Sequence, residues 1–293
     1  RLEAGEEVVI LSGSGTAALE AAFVNGVAPG DTVLVAHAGK FGERWVKIAK
    51  GHGVKVLELK APYGETFTPE ALAEVLKTAP KLAAFCIQEH ESSTGVRHDV
   101  KGLAALVKAA QPDALILVDA ITGVGVHDIR LADGCDALIC GSQKALGIQP
   151  GLAFLALSPR YLAQLDQPHL GRFYLDLRAE LKAHADSGTA WTPAIGLVAA
   201  LKAATDWVDG MGGVEALIAN ADLQARAFRG ACPPSPRPRA TTARGSRWKA
   251  AAPSSRPCAT SSASPSPMAR GSWRTTWSAS PTWATPTAST PSW

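Results

Sequence analysis

A lysine that follows a predicted strand is the first candidate for chemistry in this sequence. Lys144 lies in GSQKAL, directly after the apolar run ALIC and before the turn GIQPG. We expect its small neighbours to remove part of the water around the amine, which favours the neutral nucleophile that forms imines with carbonyl compounds. A solvated surface lysine is the ordinary alternative, so Lys144 needs support from other residues.

Asp119 is the second candidate, because it ends the apolar run ILVD in the segment ILVDAITGVGV (116–126). The carboxyl edge of a parallel sheet is where α/β proteins usually bind ligands. A carboxylate there costs free energy of desolvation unless a cation pairs with it, and the protonated ring nitrogen of a bound cofactor would be such a cation. Taken alone, Asp119 is equally well explained as a helix-capping or loop residue.

A glycine-serine turn supplies a candidate anion site. SGSGTAALEA (12–21) places Ser14, Gly15 and Thr16 between the apolar run VVIL and a predicted helix. Free N–H groups and the helix dipole favour a phosphate at such a position. Turns of this kind are common before helices, so the signal is weak without Lys144 and Asp119.

The elements that position these residues alternate between strands and helices up to about Arg229, which predicts α/β architecture with a mostly parallel sheet. Apolar runs with few charges are typical of strands that are covered on both faces. Thr68-Pro69 and Asp99 are predicted to begin two of the helices. The predicted strands are TVLVAH (32–37), VKVLEL (54–59), LAAFCIQ (82–88), ALILVDA (114–120), ALIC (137–140) and LAFLAL (152–157). The predicted helices are FGERWVKIAKGH (41–52), TPEALAEVLKTAP (68–80) and DVKGLAALVKAAQP (99–112), and the glycines of 210–213 are predicted to form a turn between two further helices.

The composition changes after Arg229. Residues 230–293 contain eight Lys/Arg and no Asp or Glu, 11 of the 20 prolines and 5 of the 8 tryptophans, but no Leu, Ile, Val, Phe or Tyr. Such a segment cannot build an ordinary core. A disordered tail is one interpretation, and we favour a reading-frame error in a GC-rich gene. The preceding residues hold 21 basic against 26 acidic side chains, so the net charge of +3 does not indicate a nucleic-acid-binding surface in the folded part.

Length and composition narrow the class of protein further. A chain of 293 residues with 46% hydrophobic residues can form one large domain and a smaller one. No apolar run reaches the roughly 18 residues that a membrane-spanning helix needs, and the N-terminus has no basic leader, so we expect a cytoplasmic protein. The five cysteines form no CxxC pair, and the histidines fit no metal-binding spacing; neither disulfides nor a metal site is predicted.

Several motifs in a fixed order resemble those of the class V pyridoxal-phosphate-dependent aminotransferases, particularly the alanine–glyoxylate and serine–pyruvate enzymes. They are SGSGTAALEA, AGKFGERW, ESSTGV, VDAITGVG, GSQKALGIQPG and YLDLR…TPAIGL, and they extend from about Val8 to Arg229. The resemblance implies a type I aspartate-aminotransferase fold, the cofactor pyridoxal 5′-phosphate and a homodimer with active sites near the subunit interface. It also implies a large cofactor-binding domain over 1–210 and the start of an incomplete C-terminal α+β domain over 211–293.

The resemblance assigns the two catalytic roles to Lys144, which would bind the cofactor as a Schiff base, and to Asp119, which would pair with the pyridine nitrogen. Ser14, Gly15, Thr16 and Gln143 would bind the phosphate, and Ser142 would assist.

Further residues would surround the cofactor ring. Phe41 stands where the family stacks an aromatic ring, commonly Trp, on the pyridine face. Ser93 and Thr94 would lie near the ring hydroxyl or the substrate. Thr189 and Thr192 are implied as the contribution of one subunit to the site of its neighbour.

The implied function is transfer of an amino group from a small amino acid, alanine or serine, to a 2-oxo acid such as glyoxylate or pyruvate. A lyase of the same fold, such as a cysteine desulfurase, is an alternative, although such enzymes usually have histidine at the positions of Gln143 and Phe41. A second alternative is a chain that binds the cofactor but does not catalyse amino transfer. This alternative arises because neither the family's leading segment nor its substrate-carboxylate arginine is found in this sequence. A nucleic-acid-binding tail at 230–293 is a third, less favoured, hypothesis.

Overall fold

The computed structural model describes residues 6–167 and 169–231, and within them one seven-stranded sheet forms the centre. The strands in chain order are β1 (Glu7–Ser12), β2 (Thr32–His37), β3 (Lys55–Lys60), β4 (Ala84–Gln88), β5 (His90–Glu91), β6 (Val96–Arg97), β7 (Leu115–Asp119), β8 (Ala137–Gly141) and β9 (Leu152–Leu157). The sheet has the order β1-β9-β8-β7-β4-β2-β3, while β5 and β6 form a separate antiparallel pair. Of the sheet strands, β9 alone runs antiparallel to both of its neighbours, which confirms the mostly parallel sheet.

Helices cover both faces of the sheet. They are α1 (Gly15–Gly26), α2 (Gly42–Gly51), α3 (Pro69–Thr78), α4 (Val100–Ala110), α5 (Pro159–Leu162), α6 (Leu177–Ala185), α7 (Ile195–Gly210) and α8 (Val214–Ala231). Side chains of β2 alternate between the two cores: Val33 packs with α1 and α2, and Leu34 packs with α3 and α4. Burial on both faces explains why the strands are almost continuously apolar in sequence.

The predicted elements agree with the structure to within about two residues at each end. TVLVAH and LAFLAL coincide with β2 and β9, whereas VKVLEL is shifted by one residue and LAAFCIQ begins two residues early. Both predicted helix starts are confirmed, because Thr68 accepts a hydrogen bond from Ala71 N–H (3.2 Å) and Asp99 accepts one from Gly102 N–H (3.0 Å). The predicted glycine turn lies between α7 and α8, where Gly212 and Gly213 have positive φ.

Sheet topology gathers the chemical candidates at one edge. The turn before α1 follows the end of β1, Asp119 ends β7, and Lys144 follows β8. These three strands point in the same direction, so their carboxyl ends meet. The edge therefore brings together residues that are far apart in sequence.

A buried asparagine joins α1 to the chain that precedes α6. The Asn25 side chain is fully buried, donates to the carbonyls of Ala21 (2.8 Å) and Leu175 (2.6 Å), and accepts from Leu177 N–H (3.2 Å). Replacing it by alanine would leave the Leu175 carbonyl and the Leu177 amide without this partner. We expect Asn25→Ala to lower the free energy of unfolding by about 2–4 kcal/mol, measured by urea denaturation.

Asn220→Ala is the matched control for this prediction, because Asn220 is exposed on α8. Its free energy of unfolding should stay within about 0.5 kcal/mol of the wild type. Equal effects of the two substitutions would contradict a structural role for Asn25.

The altered composition at 230–293 lies, apart from its first two residues, outside the described residues, as does most of the predicted C-terminal domain. None of the helices in the described ranges is both long enough and apolar enough to span a bilayer.

Candidate active site

A pocket at the carboxyl edge of the sheet contains most of the predicted site residues. Its wall includes the turn before α1, the start of α2, and the ends of β7 and β8. The residues that line it are Ser14, Gly15, Thr16, Phe41, Arg44, His90, Ser92, Asp119, Ile121, Thr122, Gln143 and Lys144. Seven of them are predicted from the sequence, so one cavity collects an amine, a carboxylate, an aromatic ring and a helix N-terminus.

The helix N-terminus is formed by Ser14, Gly15 and Thr16. Ser14 is the extended residue before α1, and its side chain makes no capping hydrogen bond, while its carbonyl accepts from Ala17 N–H (2.8 Å). The first turn of α1 carries no acidic side chain. Gly15 packs so closely on Ile121 that a Cβ atom would overlap the Ile121 side chain. The backbone and the Ser14 hydroxyl are thus available to an anion.

Asp119 is a buried carboxyl group in the same pocket, with 5% of its surface exposed. Its Oδ1 accepts a hydrogen bond from Ile121 N–H (3.0 Å). Burial raises the pKa of Asp119 to about 6, although that hydrogen bond and the positive charges of Arg44 and Lys144 act to lower it. A cation placed against this carboxylate would favour its charged form and so offset the effect of burial on the pKa.

Lys144 lines the same pocket but is exposed to solvent. The prediction that its neighbours remove part of its water is therefore wrong for the described chain. The physical reason is local: Gln143, Gly147 and Gln149 around it are also exposed, so this loop does not cover the amine. Its position after β8, in the same pocket as Asp119 at the end of the neighbouring strand β7, is as the spacing predicted.

Arg44 is a pocket residue that the sequence analysis missed. Its Nη1 donates to Thr16 Oγ1 (2.9 Å), and its guanidinium carbon lies 5.0 Å from the centre of the Phe41 ring. The cation therefore connects the anion-binding turn to the aromatic wall and stabilises the arrangement through a cation–π contact. A helical pattern indicates only that Arg44 lies in the first turn of α2, and no local signal shows that it turns towards Thr16.

Known proteins resemble this chain over most of its described length. The family model for class V aminotransferases matches residues 2–230. This chain belongs to the class V aminotransferases. An uncharacterised aminotransferase from Helicobacter pylori is 39% identical over 212 residues, which are 72% of this chain and 56% of that protein. The chain thus spans a little over half the length of this curated relative.

Two solved aminotransferase structures share the fold. The aspartate aminotransferase of Thermus thermophilus is 41% identical with a TM-score of 0.68, over 76% of this chain and 63% of that one. The alanine–glyoxylate aminotransferase of a Nostoc species is 32% identical with a TM-score of 0.71, over 76% and 59%. The class V relationship and the α/β fold of these enzymes are therefore confirmed.

The class V family uses pyridoxal 5′-phosphate, and the pocket of this member fits that molecule chemically. An aldehyde needs an amine, a pyridine nitrogen that carries a proton needs an anion, and a phosphate needs N–H and hydroxyl donors. Lys144, Asp119 and the Ser14–Thr16 turn supply these three kinds of group around one cavity. Burial raises the pKa of Asp119, and a cationic ring nitrogen beside this carboxylate would offset the cost of its desolvation.

The remaining predicted residues of this class V chain lie outside the set that lines the pocket in the described ranges. Ser93 Oγ donates to Glu91 Oε1 (2.6 Å), and Thr94 Oγ1 donates to the Glu91 carbonyl (3.3 Å). Ser142 is fully buried; its hydroxyl donates to the Gln149 carbonyl (2.8 Å). The neighbouring Ser92 lines the pocket instead.

The two threonines implied as a contribution to a neighbouring subunit lie beyond β9. Thr189 Oγ1 donates to the Trp191 carbonyl (2.7 Å), and Thr189 lies in a second, apolar cavity with Tyr174 and Trp191. Thr192 is exposed. Neither reaches the pocket of its own chain, so their implied role stays a prediction.

Burial of Asp119 has a testable consequence for stability without cofactor. The pKa of Asp119 is about 6 in the folded chain, against a model-peptide value of 3.8. The contribution of Asp119 to the free energy of unfolding is therefore full below about pH 4 and is lost as pH rises through 6. We expect Asp119→Asn to gain stability relative to the wild type by on the order of 2 kcal/mol between about pH 4.5 and pH 7.5.

Urea denaturation of both proteins at the two pH values measures this difference. Comparing the variant with the wild type at each pH cancels the contributions of other titrating groups. A stability difference that is the same at both pH values would show that Asp119 is not desolvated in the folded chain.

Proposed function

We propose that this chain forms the cofactor-binding part of a pyridoxal-phosphate-dependent aminotransferase. It would move an amino group from a small amino acid, alanine or serine, to a 2-oxo acid such as glyoxylate or pyruvate. The observation that carries the proposal is the single pocket in which Lys144, Asp119, Phe41 and the turn at Ser14–Thr16 meet. Membership in the class V family supports the reaction type.

Lys144 and Asp119 would have different catalytic roles. Pyridoxal 5′-phosphate, when bound, supplies an electron sink for the pair released when the Cα–H bond of an amino acid breaks. The Nζ atom of Lys144 would attach the cofactor and, once displaced by the substrate amine, would carry the proton away from Cα. The Asp119 carboxylate would keep the proton on the ring nitrogen, which keeps the sink effective.

The other pocket residues would bind and orient. Backbone N–H groups and hydroxyls at Ser14–Thr16, together with Gln143, would hold the phosphate. Arg44 would hold Thr16 in place and add positive charge near that anion. The ring of Phe41 would cover one face of the pyridine ring, which excludes water from it.

The described cysteines argue against the lyase alternative. A desulfurase needs a nucleophilic thiolate, but burial raises the pKa of the Cys135 thiol to about 12 and that of Cys140 to about 11, and it raises the pKa of Cys86 still further. A thiol with so high a pKa is almost entirely protonated near neutral pH and is a poor nucleophile. Gln143, which precedes the lysine, agrees with amino transfer on the resemblance described above.

The whole protein would be a homodimer with two domains in each subunit. On this proposal residues 1–210 are the large domain and the small domain begins at 211, in the glycine turn between α7 and α8. Thr189 and Thr192 would then contribute to the site of the partner subunit.

A panel of donors tests the proposal. The protein with added pyridoxal 5′-phosphate is mixed with glyoxylate and with alanine, serine or aspartate, and glycine formation is measured; aspartate is included because of the Thermus thermophilus relative. We expect alanine or serine to give the highest rate. A higher rate with aspartate would contradict the proposed donor, and faster release of sulfide from L-cysteine than of glycine from any donor would overturn the reaction type.

A further inference from the structure

Helix α2 begins at a residue whose side chain cannot cap it. Phe41 is the N-cap residue of α2, and its side chain makes no capping hydrogen bond. The first N–H groups of a helix need acceptors, which Ser, Thr, Asp or Asn usually provide from the N-cap position. The ring of Phe41 lines the pocket and accepts nothing. The N–H groups of Glu43 and Arg44 donate to the carbonyls of Gly39 (3.1 Å) and Phe41 (3.0 Å), which leaves the N–H groups of Phe41 and Gly42.

Glu91, 50 residues after Phe41, provides the missing acceptor. Its Oε2 accepts hydrogen bonds from the N–H groups of Phe41 (3.1 Å) and Gly42 (2.9 Å). Its Oε1 accepts from the N–H (3.1 Å) and the hydroxyl (2.6 Å) of Ser93. Both oxygens act as acceptors, which is the pattern of an ionised carboxylate, and the N-terminus of α2 stabilises a negative charge at this place.

The fit around Glu91 is tight. Its side chain is fully buried, and Gly39 approaches it so closely that a Cβ atom on Gly39 would overlap the Glu91 Cγ and Cδ atoms. Lys40 N–H donates to Ser93 Oγ (3.1 Å), which adds a second link between the same two segments. Hydrogen bonds to the Glu91 carboxylate and the Ser93 hydroxyl therefore link the segment that carries Phe41 to the end of β5 and the turn after it.

We propose that Glu91 is a positioning residue that fixes the Phe41 ring on the wall of the pocket by capping α2 from outside the helix. The reaction does not require Glu91 to touch substrate or cofactor. The effect on the cofactor rests on the function proposed above, whereas the effect on the start of α2 does not.

Glu91→Gln tests the proposal with almost no change in volume. The amide offers one acceptor atom, and its NH₂ group meets N–H or O–H donors where the carboxylate accepted. In the cofactor-free protein we expect hydrogen exchange at the Phe41 and Gly42 amides to accelerate at least about tenfold. Titration with pyridoxal 5′-phosphate should show an affinity lower by about tenfold, and the circular dichroism of the bound cofactor in the visible range should weaken because its ring is less firmly oriented.

Two further variants make the test specific. Gly39→Ala keeps the carboxylate but displaces it, and we expect the same three changes; it also replaces Glu91→Gln if that protein does not fold. Glu43→Gln is the matched control, since Glu43 lies in the first turn of α2 and bonds Tyr63 instead, and it should change none of the three measurements.

Each outcome decides a different point. Unchanged hydrogen exchange at Phe41 and Gly42 in both Glu91→Gln and Gly39→Ala would overturn the capping role. Faster exchange with unchanged affinity and dichroism would overturn the link from the cap to the cofactor. A wild-type protein that does not bind pyridoxal 5′-phosphate would contradict the proposed function, and the exchange measurement would still decide whether Glu91 caps α2.

Discussion

Lys144→Ala is expected to abolish covalent attachment of pyridoxal 5′-phosphate and to lower the rate of amino transfer by at least about 1,000-fold. The substitution removes the only group at this position that can form the link, and it also removes the base that would move the Cα proton. General acid–base catalysis alone contributes about 100- to 10,000-fold in enzymes, so the loss of both roles should exceed the effect of any other single substitution in the pocket.

Two measurements test the two roles of Lys144, attachment of the cofactor and transfer of the proton, separately. Reduction of the mixture of protein and cofactor with borohydride, followed by mass spectrometry, should place the cofactor on Lys144 in the wild type and show no modification at this residue in the variant. A large excess of alanine should convert bound pyridoxal 5′-phosphate to its amino form. The change in absorbance during this half-reaction measures the proton transfer and does not require the second substrate.

Lys47→Ala is the control, because Lys47 is exposed on α2 and does not line the pocket. This variant should bind pyridoxal 5′-phosphate as the wild type does, and borohydride should fix the cofactor to it to the same extent. If Lys144→Ala kept the same borohydride-sensitive absorbance band as the wild type, the anchor would be another lysine and the assignment of this pocket would be wrong.

The strands and the placement of the main site residues could be predicted from the sequence because both depend on local pattern. Apolar runs such as TVLVAH and LAFLAL mark strands that are buried on both faces, and the parallel order of the sheet brings their carboxyl ends together. Asp119, at the end of such a run, and Lys144, a few residues after one, must lie near that edge. The pocket that contains both follows from these two facts.

Contacts between distant segments could not be predicted in this way. Nothing in FGERW indicates that Arg44 turns to Thr16, or that the cap of α2 comes from Glu91. The exposure of Lys144 was predicted wrongly because small neighbours were taken to mean a covered amine, whereas cover depends on the segments that pack above the site. Ser142 shows the same limit, since its hydroxyl is used by the Gln149 carbonyl within its own loop.

Asp119→Asn is expected to lower the rate of amino transfer by about 100- to 1,000-fold while leaving covalent attachment at Lys144 intact. Asparagine keeps the shape of the side chain, and its amide oxygen can still accept the hydrogen bond from Ile121 N–H. It cannot supply the negative charge that holds a proton on the ring nitrogen. Loss of a buried charge-assisted interaction of about 3–4 kcal/mol corresponds to that fall in rate.

The half-reaction with alanine, followed by absorbance, measures this effect, and borohydride trapping in the same sample shows that the cofactor is still attached. Asp113→Asn is the control, because Asp113 is exposed and pairs with Lys81 at the surface; its rate should match the wild type. A rate for Asp119→Asn within about threefold of the wild type would mean that the ring nitrogen does not depend on this carboxylate.

The two results for Asp119 are linked by one physical cause. Without cofactor the charges of Arg44 and Lys144 only partly offset the burial of this carboxylate, so asparagine is the more stable choice above pH 6. With cofactor the ring nitrogen supplies that cation, and the same carboxylate should favour the bound state. We therefore expect pyridoxal 5′-phosphate to stabilise the wild type more than Asp119→Asn at neutral pH, measured as the rise in unfolding temperature at a saturating cofactor concentration. An equal rise in both proteins would show that the Asp119 carboxylate does not favour the bound state. Its raised pKa would then be a consequence of burial in the fold alone.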